Sequence, residues 1–142
     1  GLLAPVAGTV YRAEGRIVML DQHVGLLDPE GSILDNIRRL LPDASDEEAY
    51  AICARFAFRN RDARRVVGTL SGGERLRAGL AATLPGAAAP WLVILDEPTN
   101  HLDIESVELL EDALRSFDGA LLVVSHDPSF VEHVGFDRVL EV

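Results

Sequence analysis

Two adjacent acids, Asp96 and Glu97, follow the apolar run Leu92-Val93-Ile94-Leu95. That order places both carboxylates at the carboxyl end of a buried strand, where the ligands of α/β sheets sit. Carboxylates so placed can help hold a divalent cation or take a proton from a water. The same residues also describe a strand that ends in a solvated acidic turn. Other chemistry-bearing residues flank the pair. Leu70-Ser71-Gly72-Gly73-Glu74 lies upstream, Pro98-Thr99-Asn100-His101-Leu102-Asp103 follows directly, and Ser125-His126-Asp127 ends the next apolar run. The Ser71–Glu74 turn offers a hydroxyl, backbone N–H groups and a helix N-terminus, which together suit an anion. Alone, it reads equally as an ordinary capped helix. His126 alone reads as a structural histidine, and Gln22 alone carries no signal.

The elements that must position these residues alternate between strand and helix. Arg16–Leu20 reads as a short buried strand running into the polar turn Asp21-Gln22-His23. Ser32 caps a short helix over Ser32–Arg39, with Ile33, Ile37 and Leu40 as its apolar positions. Ser45-Asp46-Glu47-Glu48 is a capping box. Behind it, Ala49, Ile52, Cys53 and Phe56 fall at helical spacing, so the pattern predicts an amphipathic helix over 46–57. A second capping box, Ser71 to Glu74, opens a helix carrying Leu76, Leu80, Thr83 and Leu84, broken by the Gly- and Ala-rich stretch from Pro85 to Pro90.

Trp91–Leu95 reads as a strand buried on both faces of a parallel sheet. Asp103 caps a helix with the stripe Val107, Leu110, Leu114 and Phe117, which Gly119 ends. Ala120–Val124 reads as a second wholly apolar strand, Asp127-Pro128 as an N-cap followed by an N1 proline, and Asp137–Val142 as a closing strand. The succession predicts a right-handed parallel α/β sheet.

The bulk numbers fit a soluble globular protein. The chain has 142 residues, 48% hydrophobic and 25% charged, with a formal net charge of −10. That charge argues against a generic nucleic-acid surface. All 13 basic residues are arginine, so no lysine is on hand for catalysis or phosphate binding. The single Cys53 excludes an internal disulfide and suits a reducing compartment. No apolar run reaches the ~18 residues of a membrane span. A cytoplasmic location and no direct membrane insertion are expected.

Taken in order, Gln22, the Ser71–Glu74 turn, the Asp96-Glu97 pair, the Asn100–Asp103 turn and Ser125-His126 resemble the ABC-type ATPases, over essentially the whole chain. Within them the chain looks most like the ABC-F group, soluble proteins with two ATPase domains in one chain, many acting on the ribosome. Glu74 where transporters more often carry Gln, the Thr99–Asp103 turn, and Ser rather than Thr before His126 carry that likeness. Pro128 departs from the group, which commonly has Arg there.

The resemblance implies a parallel-sheet P-loop NTPase core with a small helical subdomain. It divides the chain into 1–40 (core strand and Gln loop), 41–84 (helical subdomain ending in the signature helix) and 85–142 (catalytic α/β core). It implies ATP and Mg²⁺ as ligands, with Asp96 and Gln22 serving the metal, Glu97 and Gln22 the attacking water, and His126 the γ-phosphate. It implies that Ser71, Gly72, Gly73 and Glu74 clamp the nucleotide of a facing domain. Asn100, His101 and Asp103 would then lie on the face between the two domains.

No Gly-x-x-x-x-Gly-Lys-Ser/Thr loop occurs, and none can without lysine. Gly1–Val10 resembles the stretch that follows that loop's helix, so the sequence reads as a fragment lacking the N-terminal part of the domain. The expectation is that the chain alone is inactive, leaves apolar strand edges and a sheet face uncovered, and self-associates. Arg55, Arg59, Arg61, Arg64 and Arg65 form a basic cluster, read either as a solvated helix face or as a contact for ribosomal RNA phosphates. Two other functions stay open: the ATPase subunit of a membrane transporter, and a non-catalytic half-domain that lends its signature turn to another chain.

Overall fold

The computed structural model describes residues 5–11, 13–20, 24–86, 89–100 and 102–140. Its sheet contains β1 (Ile17–Leu20), β2 (Leu92–Asp96) and β3 (Ala120–Val124), parallel and in that spatial order. Leu20 lies opposite Leu95, Leu95 opposite Val123 and Asp96 opposite Val124, so the strands end level with one another. The Glu97 N–H donates to the Val124 carbonyl at 2.9 Å and carries the pairing one residue past β2. Residues following β2 and β3 therefore emerge on one edge of the sheet.

Among the described residues between β1 and β2 come three helices, α1 (Ile33–Leu40), α2 (Asp46–Arg55) and α3 (Gly72–Thr83), with short 3₁₀ turns at Asp62–Arg64 and Val67–Thr69. Each helix starts at a serine whose hydroxyl accepts the N–H three residues on, while an acid at that position reaches back to the cap N–H. Two of these boxes use Glu and match the sequence reading. The third pairs Ser32 with Asp35, which the sequence reading saw only as a capping serine. Ile33, Ile37, Ala49, Ile52, Cys53 and Phe56 are buried, so the apolar faces of α1 and α2 turn into one core. Burying each such side chain contributes on the order of 1.5–3 kcal/mol.

Gly79 lets α3 lie flush on the end of β1: a Cβ there would collide with Val24 Cγ1 and meet Leu20 Cδ2 at 3.5 Å. Between β2 and β3, α4 (Ile104–Arg115) buries Leu110 and Leu114; α5 (Pro128–Val134) follows β3 and packs on α4. Pro128 stands at N1 and Asp127 caps α5 through the Ser129 and Phe130 N–H groups, as its sequence predicts.

The strand readings need correction. One face of the sheet carries Leu20, Val93 and Leu95, all buried. The other carries Ile17 and Met19 from β1, Leu92 and Ile94 from β2, and Leu122 and Val124 from β3; of these Met19 is 59% exposed, Leu122 55% and Val124 52%. So β2 is not buried on both faces, β1 is mostly uncovered, and β3 is an apolar strand with an open face. An apolar run looks the same in sequence whether one face or both are covered. The expected closing strand is also absent from its described part: residues 137–140 form no ladder, and 141–142 lie outside the described residues.

Candidate functional site

Glu97 and His126 meet where β2 and β3 end. His126 Nε2 lies 3.3 Å from Glu97 Oε1, and the His126 N–H points at Glu97 Oε2 from 3.4 Å. The carboxylate side chain is only 20% exposed and the imidazole 93%, so a rooted acid carries an open imidazole at its rim. Glu97 adopts φ +47°, the left-handed region that residues with a Cβ avoid. Such strain persists where the surroundings hold it, here through the Glu97–Val124 bond, and it gathers at working sites. Asp96 ends β2 exposed beside it.

The turn after Glu97 closes on itself, with the Asn100 N–H on the Glu97 carbonyl and the Leu102 N–H on the Thr99 carbonyl, both at 3.2 Å. Asp103 then caps α4, accepting the Ser106 N–H at 2.8 Å. That bond holds the Asp103 carboxyl below its ordinary pKa. Asn100 and Asp103 are both exposed.

The Ser71–Glu74 turn packs against the same region. A Cβ on Gly73 would fall 2.5 Å from Leu102 Cδ2 and 3.6 Å from Ser106 Oγ, whereas one on Gly72 would meet nothing within 4 Å. Gly73 is thus the contact that seats the start of α3 on the start of α4, and Gly72 faces outward. Ser71 Oγ accepts the Glu74 N–H at 3.2 Å and the Ser71 N–H donates to Glu74 Oε2 at 2.9 Å. Arg65 grips both Glu74 oxygens, at 2.5 and 2.9 Å. Chiefly through that pair, the Glu74 carboxyl is drawn down to about 2.

Glu97, His126 and Asp96 at the strand ends, Asp103 after the turn that follows Glu97, and Gly73 packed on that turn thus stand on one connected surface. Gln22 and His101 lie outside the described residues. For a divalent cation, the donor set is one exposed carboxylate, Asp96, beside Glu97; no group of three or more His, Cys, Asp or Glu gathers among the described residues. That suits Mg²⁺, which takes one or two carboxylates and completes its shell with waters and phosphate oxygens. It would not suit a closed structural metal cage.

Sequence reasoning missed the Arg65–Glu74 pair, which it had folded into a basic cluster. Arg64 of that cluster instead meets the Tyr50 hydroxyl at 3.0 Å. It also missed Glu111, a buried acid on α4 that meets His133 Nδ1 of α5 at 3.2 Å. A cleft of about 640 Å³ between Arg55, Pro85, Trp91, Phe117 and Asp118 opens at the opposite ends of β2 and β3 and takes no part in this surface.

A family model described as ABC transporter matches residues 3–100. The chain belongs to the ABC transporter family. The ABC relatives include the ATP-binding protein Uup of Escherichia coli, 37% identical over 93% of the chain and 22% of the relative. The ATP-binding cassette sub-family F member 3 of Mus musculus is 38% identical over 94% and 19%. The ABC transporter F family member 5 of Arabidopsis thaliana is 32% identical over 100% and 20%. The chain therefore spans about a fifth of the length of these curated relatives. Its ABC fold matches a dimeric post-hydrolysis structure of the ATP-binding cassette MJ0796 bound to ADP and Pi, with TM-score 0.65 and 24% identity over 83% of this chain and 55% of that one. Members of the F group among the relatives agree with the likeness drawn from Glu74 and the Thr99–Asp103 turn. Among the described residues no helix is long and apolar enough to cross a membrane.

Proposed function

We propose that this chain supplies the water-activating and signature elements of an ATP-hydrolysing ABC domain, in a protein of the ABC-F kind that acts on the ribosome. The single observation that carries the reading is the Glu97–His126 pair at the level ends of two parallel strands. Glu97 is rooted and carries its carboxylate where a water can be oriented and relieved of a proton. His126 is exposed and can donate to the γ-phosphate while staying tethered to the same acid. Asp96, with Gln22, would hold Mg²⁺, whose part is to neutralise charge on the phosphate oxygens. The Ser71–Glu74 turn serves the γ-phosphate held by a facing ABC domain, and Asn100, His101 and Asp103 line the boundary between the two.

Catalysis of phosphoryl transfer is mostly positioning and electrostatics, and these are the contributions the surface can make. It contains no lysine to reach the phosphates, so the chain alone neither holds ATP tightly nor turns it over. Its uncovered apolar sheet face and the edge of β3, which pairs with no further strand among the described residues, favour self-association with a second copy. Light scattering on the purified chain tests this, and a clean monomer speaks against it.

ATP hydrolysis by the purified chain, abolished by Glu97→Gln, overturns the inactivity of the chain alone. Ribosome co-sedimentation of the full-length gene product, compared with capture of membrane subunits, separates the ribosomal target from a transporter role.

A further inference from the structure

A carboxylate in the first turn of a helix opposes any phosphate that approaches the same turn. Glu74 stands third in α3, directly beside the Gly72 and Gly73 N–H groups, which have no acceptor within the helix. Its charge offsets the positive end of the helix dipole that an anion would use. Yet the carboxylate is fully engaged: Oε2 takes the Ser71 N–H, and both oxygens take the Arg65 fork.

Arg65 is itself held in place by its backbone. Its N–H donates to the Asp62 carbonyl at 3.0 Å, and its carbonyl accepts the Ile33 N–H at 3.1 Å. The next residues are stitched down as well, Val67 N–H to the Gly31 carbonyl and Gly68 N–H to the Pro29 carbonyl. The guanidinium is thus delivered to Glu74 by the fold, and a bidentate Arg–carboxylate pair is the strong, directional form of this contact.

We propose that Arg65 is the charge-balancing residue of the Ser71–Gly73 turn: by taking up the Glu74 carboxylate it lets a phosphate group of a nucleotide approach the Gly72 and Gly73 amides. This rests on the nucleotide reading above and adds Arg65 to the four residues of the turn. The carboxylate is ionised at any physiological pH, so the balance is needed throughout. The other nearby cation of that segment, Arg64, is spent on the Tyr50 hydroxyl.

The test is a titration of the ¹⁵N-labelled chain with inorganic pyrophosphate, following the Gly72 and Gly73 amide signals. The wild-type chain is expected to shift both amides saturably. Arg65→Gln is expected to weaken binding roughly tenfold, the order of one unbalanced charge near a half-exposed site. Glu74→Gln added to Arg65→Gln is expected to restore it, because both charges are then gone. A structural brace would not be rescued in this way, so a double variant as weak as the single one overturns the charge-balancing role, as does an Arg65→Gln chain that binds like wild type. Failure of the single variant to keep its dispersed spectrum shifts the decision to the double variant alone, measured against wild type. Silent Gly72 and Gly73 amides in the wild-type chain overturn the anion reading itself, and this inference with it.

Discussion

Glu97 and His126 are joined across two neighbouring strands, side chain to side chain at 3.3 Å and backbone to side chain at 3.4 Å. The contact is set by strand register, since Asp96 and Val124 are partners and each strand then advances by a residue or two. The γ-phosphate role proposed for His126 rests on this contact with the rooted acid.

The backbone of Glu97 stores strain that its side chain justifies. With φ +47° it occupies a region that costs a residue with a Cβ about 1–2 kcal/mol, while a pair whose histidine is open to solvent, such as Glu97–His126, returns at most about 1 kcal/mol. Glu97→Gly is therefore expected to match or exceed the wild-type stability by up to about 1 kcal/mol while removing the carboxylate. Urea unfolding measures it, and a loss of more than about 1 kcal/mol contradicts the strain.

The two glycines of the signature turn should respond in opposite ways. Gly73→Ala drives a methyl onto Leu102 Cδ2 and is expected to cost about 1–3 kcal/mol by overpacking. Gly72→Ala meets open space and is expected to be neutral or stabilising by up to about 1 kcal/mol. Equal effects of the two in the same unfolding assay would place α3 differently on α4.

How far such features could be read from the chain differs by residue. Capping boxes at Ser45 and Ser71 are contacts three residues apart, so local pattern reveals them. The Asp96-Glu97 and Ser125-His126 positions were legible because apolar runs end there, and parallel strands then bring the ends together. Arg65 and Glu74 are nine residues apart across a 3₁₀ turn and a helix start, so their meeting depends on how the 29–33 segment pins the chain. Glu111 and His133 meet only once α5 has docked on α4. The open sheet face was expected from the resemblance to a domain lacking its N-terminal part, not from the strand residues themselves, because Leu122 and Val124 are as apolar as the buried Val93 and Leu95.

Acid sensitivity follows from Glu74. Its carboxyl sits at about 2 in the fold against an ordinary 4.5, through Arg65 first. A lowered acid favours the folded state above the unfolded value, and that contribution disappears as pH falls from 4.5 through 2. Glu74→Gln should flatten the stability profile across that window and leave its slope between pH 6 and 8 unchanged. An identical acid limb in the variant, followed by chemical denaturation at a series of pH values, would rule out the pair as its source.

Cys53 offers a probe of opening. It is fully buried, and desolvation pushes its thiol up to about 11. Since the thiolate is the reactive form, iodoacetamide at pH 8 should label the folded chain only as fast as α2 exposes it, and the unfolded chain at once. Comparable labelling in water and in urea would mean that the core around Ala49, Ile52 and Cys53 is open.

The most direct test of the account is ATP turnover by the full-length gene product with and without Glu97→Gln. The account predicts a fall in kcat of roughly a hundredfold or more, the scale of a lost general base, with ATP binding retained. Undiminished turnover by the variant would contradict it, and with it the assignment of the water-activating role to the end of β2.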